Sequence, residues 1–285
     1  MLDLAAVAAA FPQLTGLAPL GSPSGQKEVL RAELGTENVV LKLIKKNPLD
    51  QSRTEREITA AVKLSCSYVP RVFEQGQRAV GTEDRVYIIE QRIDGDTYRA
   101  QLRRAPKRPV SEVLGIMETL LLACMDFETV KMVHRDIKPE NLMVDSTGKL
   151  WVIDFGIVRF LDEVSLTPTG NHFGLFTPGY GAPEQVRNLK TDIDIRADLF
   201  SIGVVAYEAL NGSNPYIVGK RDPLEVINHV LTRDLTPLVI PGDSDGDLAD
   251  FIAELTARYP SRRPQSAAEA LQWFTPVMTK FQGTP

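Results

Sequence analysis

The chain of 285 residues has little cysteine, no long apolar run and no large excess of either charge. Its two cysteines, Cys66 and Cys124, cannot build a disulfide framework and match no zinc-ligand spacing, which points to a reducing, cytoplasmic setting. No stretch reaches the ~18 uncharged apolar residues expected of a membrane span. The apolar start, residues 1–11, lacks the basic residues of a signal peptide and predicts a short packing helix ending near Pro12. A net charge of -5 gives no whole-chain reason to expect nucleic acid or an anionic membrane as partner. Internal repeats and low-complexity tracts are also absent, and nothing speaks to oligomeric state. What remains is an ordinary globular composition, 43% hydrophobic and 24% charged, long enough for two modest domains or one large one.

Strand signals crowd the first third. Residues 28–34 and 39–44 are apolar-rich and separated by Gly35-Thr36-Glu37-Asn38, a hairpin pattern, and residues 71–74 and 85–90 predict two more strands. Between them, residues 52–64 carry apolar residues at helical spacing behind charged ones. After Asp94-Gly95 the character changes. Long apolar helices are expected over 111–130 and 194–210, the latter stopped by Asn211-Gly212, with shorter ones over 248–255 and 266–274. Short strands over 142–144 and 150–153 flank a Ser146-Thr147-Gly148 turn. Strands around one helix followed by mostly helices make an α+β chain, with a hinge near residues 91–97. A basic cluster, Arg99, Arg103, Arg104, Lys107 and Arg108, reads as a solvated helix end and loop, with a docking patch for an acidic substrate as the alternative.

The chemistry concentrates in His134-Arg135-Asp136-Ile137-Lys138-Pro139-Glu140-Asn141 and, thirteen residues later, Asp154-Phe155-Gly156 at the end of an apolar run. Phosphoryl transfer asks a protein for a carboxylate that orients the attacking hydroxyl and for oxygen ligands to the metal ions on the phosphates. Asp136 suits the first task. Asn141 and Asp154 suit the second, since Mg2+ prefers carboxylate and amide oxygens and keeps water in its other positions.

These two signatures resemble those of the protein kinases, in particular the bacterial-type or eukaryotic-like serine/threonine kinases. The resemblance spans about residues 14–275 and implies a bilobal fold. Residues 1–13 would be a short extension, 14–93 a nucleotide-binding lobe built on a small antiparallel sheet with one main helix, and 94–285 a mostly helical catalytic and substrate-binding lobe. It implies ATP and Mg2+, or Mn2+ in its place, and a protein substrate with a Ser or Thr acceptor. Lys42, inside an apolar strand, resembles the lysine that meets the α- and β-phosphates. Glu57 is its expected helix partner, with Glu55 as competitor. Lys138 is of the type that neutralises charge on the transferred group, and Thr177 stands where serine/threonine kinases place a threonine bonded to the catalytic aspartate and lysine. The segment from Thr177 through Ala182-Pro183-Glu184 resembles the end of the activation loop, a peptide platform. Asp198 resembles the buried aspartate that braces the catalytic loop, and Arg263 is the implied partner of Glu184.

The phosphate-covering loop departs from the family pattern. Gly21 and Gly25 keep backbone freedom and Val29 keeps its place, but Lys27 stands where the last glycine is expected, adding a charge near the phosphates. Matching the connecting strand puts Glu90 at the gatekeeper position and the backbones of Gln91 and Ile93 against the base; a one-residue shift puts Ile89 there instead. Arg135 is expected to meet a phosphate on the activation loop, at Thr167 or Thr169, or else to bond only backbone carbonyls. The degraded loop leaves room for a weakly active, nucleotide-dependent interaction module. A small-molecule kinase is a third reading, against which the Ala182-Pro183-Glu184 platform argues.

Overall fold

The computed structural model describes residues 3–21, 27–45, 66–154, 176–189, 193–220 and 222–282. The helix expected over 52–64 with Glu55 and Glu57, the loop residue Gly25, and Thr167 and Thr169 lie outside the described residues. The chain divides into two compact units, one of Met1–Lys63 with Pro70–Asp94, the other of Leu64–Val69 with Gly95–Pro285.

The first unit is built on a five-stranded antiparallel sheet of β1 (Leu14–Pro19), β2 (Lys27–Leu34), β3 (Glu37–Lys45), β4 (Val72–Val80) and β5 (Glu83–Gln91), in the order β1-β2-β3-β5-β4. The hairpin between β2 and β3 closes with Leu34 opposite Glu37, so two residues turn the chain. Gly35, at φ 61, takes the left-handed conformation that such a turn demands. Side chains alternate across the sheet with a period of two, and the two faces differ. Leu30, Ala32, Val39, Leu41, Leu43, Tyr87 and Ile89 form the core on one face. Helix α1 (Leu4–Ala10) covers it, with Val7 and Phe11 fully buried, the Phe11 ring edge-on to Tyr87, and Asp3 capping the Ala5 N–H at 2.9 Å. The expected N-terminal helix is therefore part of this core rather than a separate extension.

Two strand readings from sequence fell short. β1 was not expected: Gly16 at φ 64 and a register shift between Thr15 and Ala18 break the alternation that would have marked it. β4 runs to Val80, although residues 74–78 are polar or glycine; pairing along β5 holds them extended.

In the second unit, β6 (Gly95–Thr97), β7 (Leu142–Asp145) and β8 (Leu150–Val152) form a small antiparallel sheet. β6 approaches β7 so closely that a β-carbon on Gly95 would lie 2.2 Å from the Val144 carbonyl oxygen, which admits only glycine. The turn between β7 and β8 is organised by Asp145, which accepts from Thr147 Oγ1 and N, Lys149 N and Trp151 Nε1. Those bonds, led by the Thr147 hydroxyl, draw its carboxyl down to about 2. The helices are α2 (Tyr98–Arg104), α3 (Val110–Thr129), α4 (Pro183–Val186), α5 (Ile195–Asn211), α6 (Pro223–Thr232), α7 (Asp247–Leu255) and α8 (Ala267–Gln282). α5 is apolar nearly all round and buried nearly throughout, as befits a core helix. Asp194 caps its first turn, and Gly212, left-handed at φ 88, ends it where the sequence places a stop. α8 runs past Phe274, the expected end, carrying Pro276 in its interior while Phe274 and Val277 stay buried. No helix among the described residues is long and apolar enough to cross a membrane.

Candidate active site

Directly after Lys138, a short 3-10 turn over Pro139–Asn141 feeds into β7, and β8 returns the chain to Asp154. The Ile153 N–H donates to the Asn141 carbonyl at 2.9 Å, so the loop and the strand end are locked together. Around Asp136 three side chains converge. Thr177 Oγ1 donates to Asp136 Oδ1 at 2.6 Å, and Asn141 Nδ2 donates to Oδ2 at 2.8 Å and to the Asp136 carbonyl at 2.8 Å. Lys138 Nζ lies 2.7 Å from Asp136 Oδ2 and donates to Thr177 Oγ1 at 2.7 Å. The threonine hydroxyl thus accepts from the lysine and donates to the aspartate, which fixes its orientation.

The loop backbone is braced from below. Asp198, fully buried on α5, accepts the His134 and Arg135 N–H groups at 2.7 Å each. Burial pushes its carboxyl above the ordinary range, against the pull of those two donors. The Asp136 N–H donates to His134 Nδ1 at 3.2 Å, so the ring's proton sits on Nε2, which donates to the Ile153 carbonyl at 3.1 Å. A buried histidine therefore couples the residue before Asp154 to Asp136. Arg135 at φ 66 and Asp154 at φ 63 are non-glycine residues in the left-handed region. Such conformations persist where surroundings over-determine them, and they cluster at functional sites. For Arg135 the fixing partners are Asp198 at its N–H and Gln185 Nε2, which donates to its carbonyl at 2.8 Å. The same Gln185 accepts the Ala182 N–H through Oε1 at 3.0 Å, tying the start of α4 to the catalytic loop.

Glu184 and Arg263 meet as a buried bidentate pair at 2.7 and 3.0 Å. Arg263 also donates to the carbonyls of Arg196 and Ala257 and stacks its guanidinium 4.9 Å from the Phe200 ring centre.

In the first unit, strand register decides which residues accompany Lys42. Val29 lies opposite Lys42, Lys42 opposite Ile88, and Val40 opposite Glu90. Lys27, Val29, Lys42 and Glu90 thus share the sheet face turned away from α1, while Ile89 belongs to the core on the other face. Lys42 and Glu90 are both buried, and they form an ion pair. An acid at this place looks anomalous in sequence; in the sheet it supplies a counter-charge to a buried lysine. Gln91 donates its N–H to the Arg71 carbonyl at 2.8 Å, and Gly21, at φ 80, precedes β2 with open space where a β-carbon would stand.

The basic cluster is divided: Arg103, Arg104 and Lys107 are exposed, as a solvated helix end and loop would have them, whereas Arg99 and Arg108 are partly buried within the fold. Arg104 pairs with Asp96, Arg108 with Glu112, and Arg99 with Glu140 and Glu208. Sequence reasoning also left His134, Gln185, Tyr180 and Glu208 without roles. His134 lies within the recognised motif, but its ring bonds to the backbone groups of Asp136 and Ile153, which no sequence pattern marks. Both cysteines are free thiols; burial pushes Cys66 up to about 12 and Cys124 well above the ordinary thiol range, which disfavours the thiolate form.

Residues 24–274 match the protein kinase domain family. Among curated proteins the chain is similar to a probable serine/threonine-protein kinase of Streptomyces coelicolor, 29% identical over 263 residues, 89% of this chain and 38% of the relative. It is 30% identical over 243 residues to the serine/threonine-protein kinase PknB of Mycobacterium leprae, covering 85% of this chain and 37% of that protein. A probable serine/threonine-protein kinase of Clostridium perfringens is 30% identical over 222 residues, 77% of this chain and 31% of the relative. The chain spans about a third of the length of these relatives.

Proposed function

Since the chain belongs to the protein kinase family, we propose that it transfers the γ-phosphoryl group of ATP to serine or threonine hydroxyls of protein substrates, itself included, in a cytoplasmic setting. The observation that carries this reading is the closed network of Asp136, Lys138, Asn141 and Thr177. An ionised carboxylate offers about four acceptor sites. Three are taken by Thr177, Asn141 and Lys138, which leaves capacity for one more donor, the incoming hydroxyl. Asp136 orients that hydroxyl and accepts its proton as the oxygen's new bond to the γ-phosphorus forms and the bond from that phosphorus to the bridging oxygen of ADP breaks, ADP being the leaving group. Lys138, 2.7 Å from Asp136 Oδ2, supplies a positive charge where the transferred group gains negative charge. Thr177 links both to the segment leading into α4, the stretch we assign to the peptide platform, which favours a protein over a small-molecule acceptor.

The donor set also fits a divalent ion. Asn141 directs its Nδ2 at Asp136 and keeps Oδ1 as a hard acceptor, and Asp154 supplies a carboxylate. Among the described residues no group of three or more His, Cys, Asp or Glu could hold a metal by itself. Two oxygen ligands completed by phosphate and water suit Mg2+, and Mn2+ as well. When bound, the ion would neutralise charge on the phosphate oxygens.

Lys42 is assigned to the α- and β-phosphates, with Glu90 holding it from within the sheet and Glu57, in the helix that the sequence predicts over 52–64, as its second partner; Gly21, Gly25, Lys27, Val29, Gln91 and Ile93 complete the nucleotide contacts. Lys42→Ala is expected to lower transfer by ~10²–10³-fold, as loss of one preorganised charge does. Glu90→Gln should lower it by about tenfold, the scale of one charge-assisted bond. Steady-state kinetics decide this: a loss from Glu57→Ala with none from Glu90→Gln would assign the lysine's orientation to the helix alone. The proposal as a whole is tested by incubation with labelled ATP and Mg2+ followed by mass spectrometry. Nucleotide binding with no phosphate on the enzyme or on a protein acceptor would favour the interaction-module reading suggested by the degraded loop. Phosphate at Thr167 or Thr169 would support activation through Arg135.

A further inference from the structure

Arg99 lies on α2, and its side chain is 17% exposed. Its Nε donates to Glu140 Oε1 at 2.7 Å, Nη1 to Glu208 Oε1 at 2.7 Å, and Nη2 to Glu208 Oε2 at 3.4 Å and to the Tyr180 hydroxyl. The Tyr180 hydroxyl donates in turn to Glu208 Oε2. Every edge of the guanidinium fork is therefore met by an acidic or phenolic oxygen. These acceptors come from three separate segments, two of which flank the Asp136 network. Glu140 is two residues from Lys138, hence within about 7 Å along the chain, and Tyr180 is three residues from Thr177, within about 11 Å. A peptide residue near the phosphoacceptor would fall within reach of this group of oxygens. Glu208 is buried, whereas the Glu140 side chain is 45% exposed, so the cluster opens to solvent on the Glu140 side.

We propose that Arg99 is a specificity-determining residue: it fills from within the chain an acidic, guanidinium-shaped subsite beside the acceptor, so that substrates are not selected for a basic neighbour. The inference rests on the phosphotransfer reading above. Its physics is that of an uncompensated pair. With Arg99 in place, two carboxylates share one cation. Without it, the buried Glu208 and its neighbour Glu140 lose their counter-charge, a costly state that the next available cation relieves. The fork geometry favours a guanidinium over an ammonium, because only the planar group meets Glu140, Glu208 and Tyr180 together.

The test uses serine peptides in which one arginine is walked through each flanking position, with the wild-type chain and Arg99→Ala. The wild type should phosphorylate all of them at rates within about twofold, whereas Arg99→Ala should prefer one arginine position by at least about tenfold, the 1.4 kcal/mol scale of a single charged contact. Adding Glu140→Gln to Arg99→Ala should abolish that preference, and free guanidinium ion should compete it away. Arg99→Lys, which keeps the charge but not the fork, should show a smaller arginine preference, and it serves as the test variant should Arg99→Ala fail to fold. A wild-type arginine preference, or an equal loss on every peptide in the variants, would overturn the proposal. Calorimetric binding of the same peptides with alanine at the acceptor, to wild type and variant, reads the subsite without catalysis. If the wild type phosphorylates nothing while only the variant binds arginine peptides tightly, the phosphotransfer reading fails and the subsite stands.

Discussion

Asp136→Asn is expected to lower the rate of phosphoryl transfer by about 10²–10⁴-fold, the usual contribution of a positioned proton acceptor. Asp136→Ala should do the same. ATP affinity should remain near the wild-type value, because the proposal assigns Asp136 to the acceptor hydroxyl, and its contacts are to Thr177, Asn141 and Lys138 rather than to groups assigned to the nucleotide. Thr177→Val should give a smaller loss, since it removes one donor and leaves the base, and Thr177→Ser should restore most of the activity by returning the hydroxyl. Single-turnover kinetics beside a fluorescent-nucleotide titration separate the two quantities. Transfer by Asp136→Ala at the wild-type rate would remove this residue from the chemistry.

The largest stability effect should come from Arg263→Met. Arg263 and Glu184 are 0% and 2% exposed at their side chains, so each is the other's means of tolerating burial. Removing one partner of a buried pair costs about 3–5 kcal/mol, because the remaining charge is stranded. Against a total stability of about 5–15 kcal/mol, such a loss unfolds an appreciable fraction of the chain. Replacing both, as Glu184→Gln with Arg263→Met, should cost less than the sum of the single changes. Both tryptophans, Trp151 and Trp273, belong to the second unit, so their emission in urea reports the unit that holds the pair. Additive losses in the single and double variants would mean that the two side chains are not coupled.

Much of the candidate site was legible because its chemistry is local in sequence. Asp136, Lys138 and Asn141 fall within six residues, and Asp154 follows one short hairpin later, so one stretch of chain carries the residues we assign as base, charge-neutralising lysine and metal ligands. The hairpin of β2 and β3, the core helices α3 and α5 and the Gly212 stop were likewise written in apolar period and turn chemistry. The strands β1 and β4 were not, because a bulge and a polar run hide their period and pairing alone keeps them extended.

By itself, the order of residues determined that this chain carries the protein kinase signatures, an α+β architecture and the identity of the groups around Asp136, since these depend on residue type and short spacing. Tertiary structure alone decided the rest. Lys42 and Glu90 are 48 residues apart in sequence, and it is strand register that sets them on one face. Arg99, Glu140, Tyr180 and Glu208 come from four segments, and Arg99, which looks in sequence like one member of a solvated basic cluster, is bonded on every side. Charge in a sequence specifies only what a side chain can bond. Which partner it meets depends on folding a long loop closed, and no local pattern records that closure.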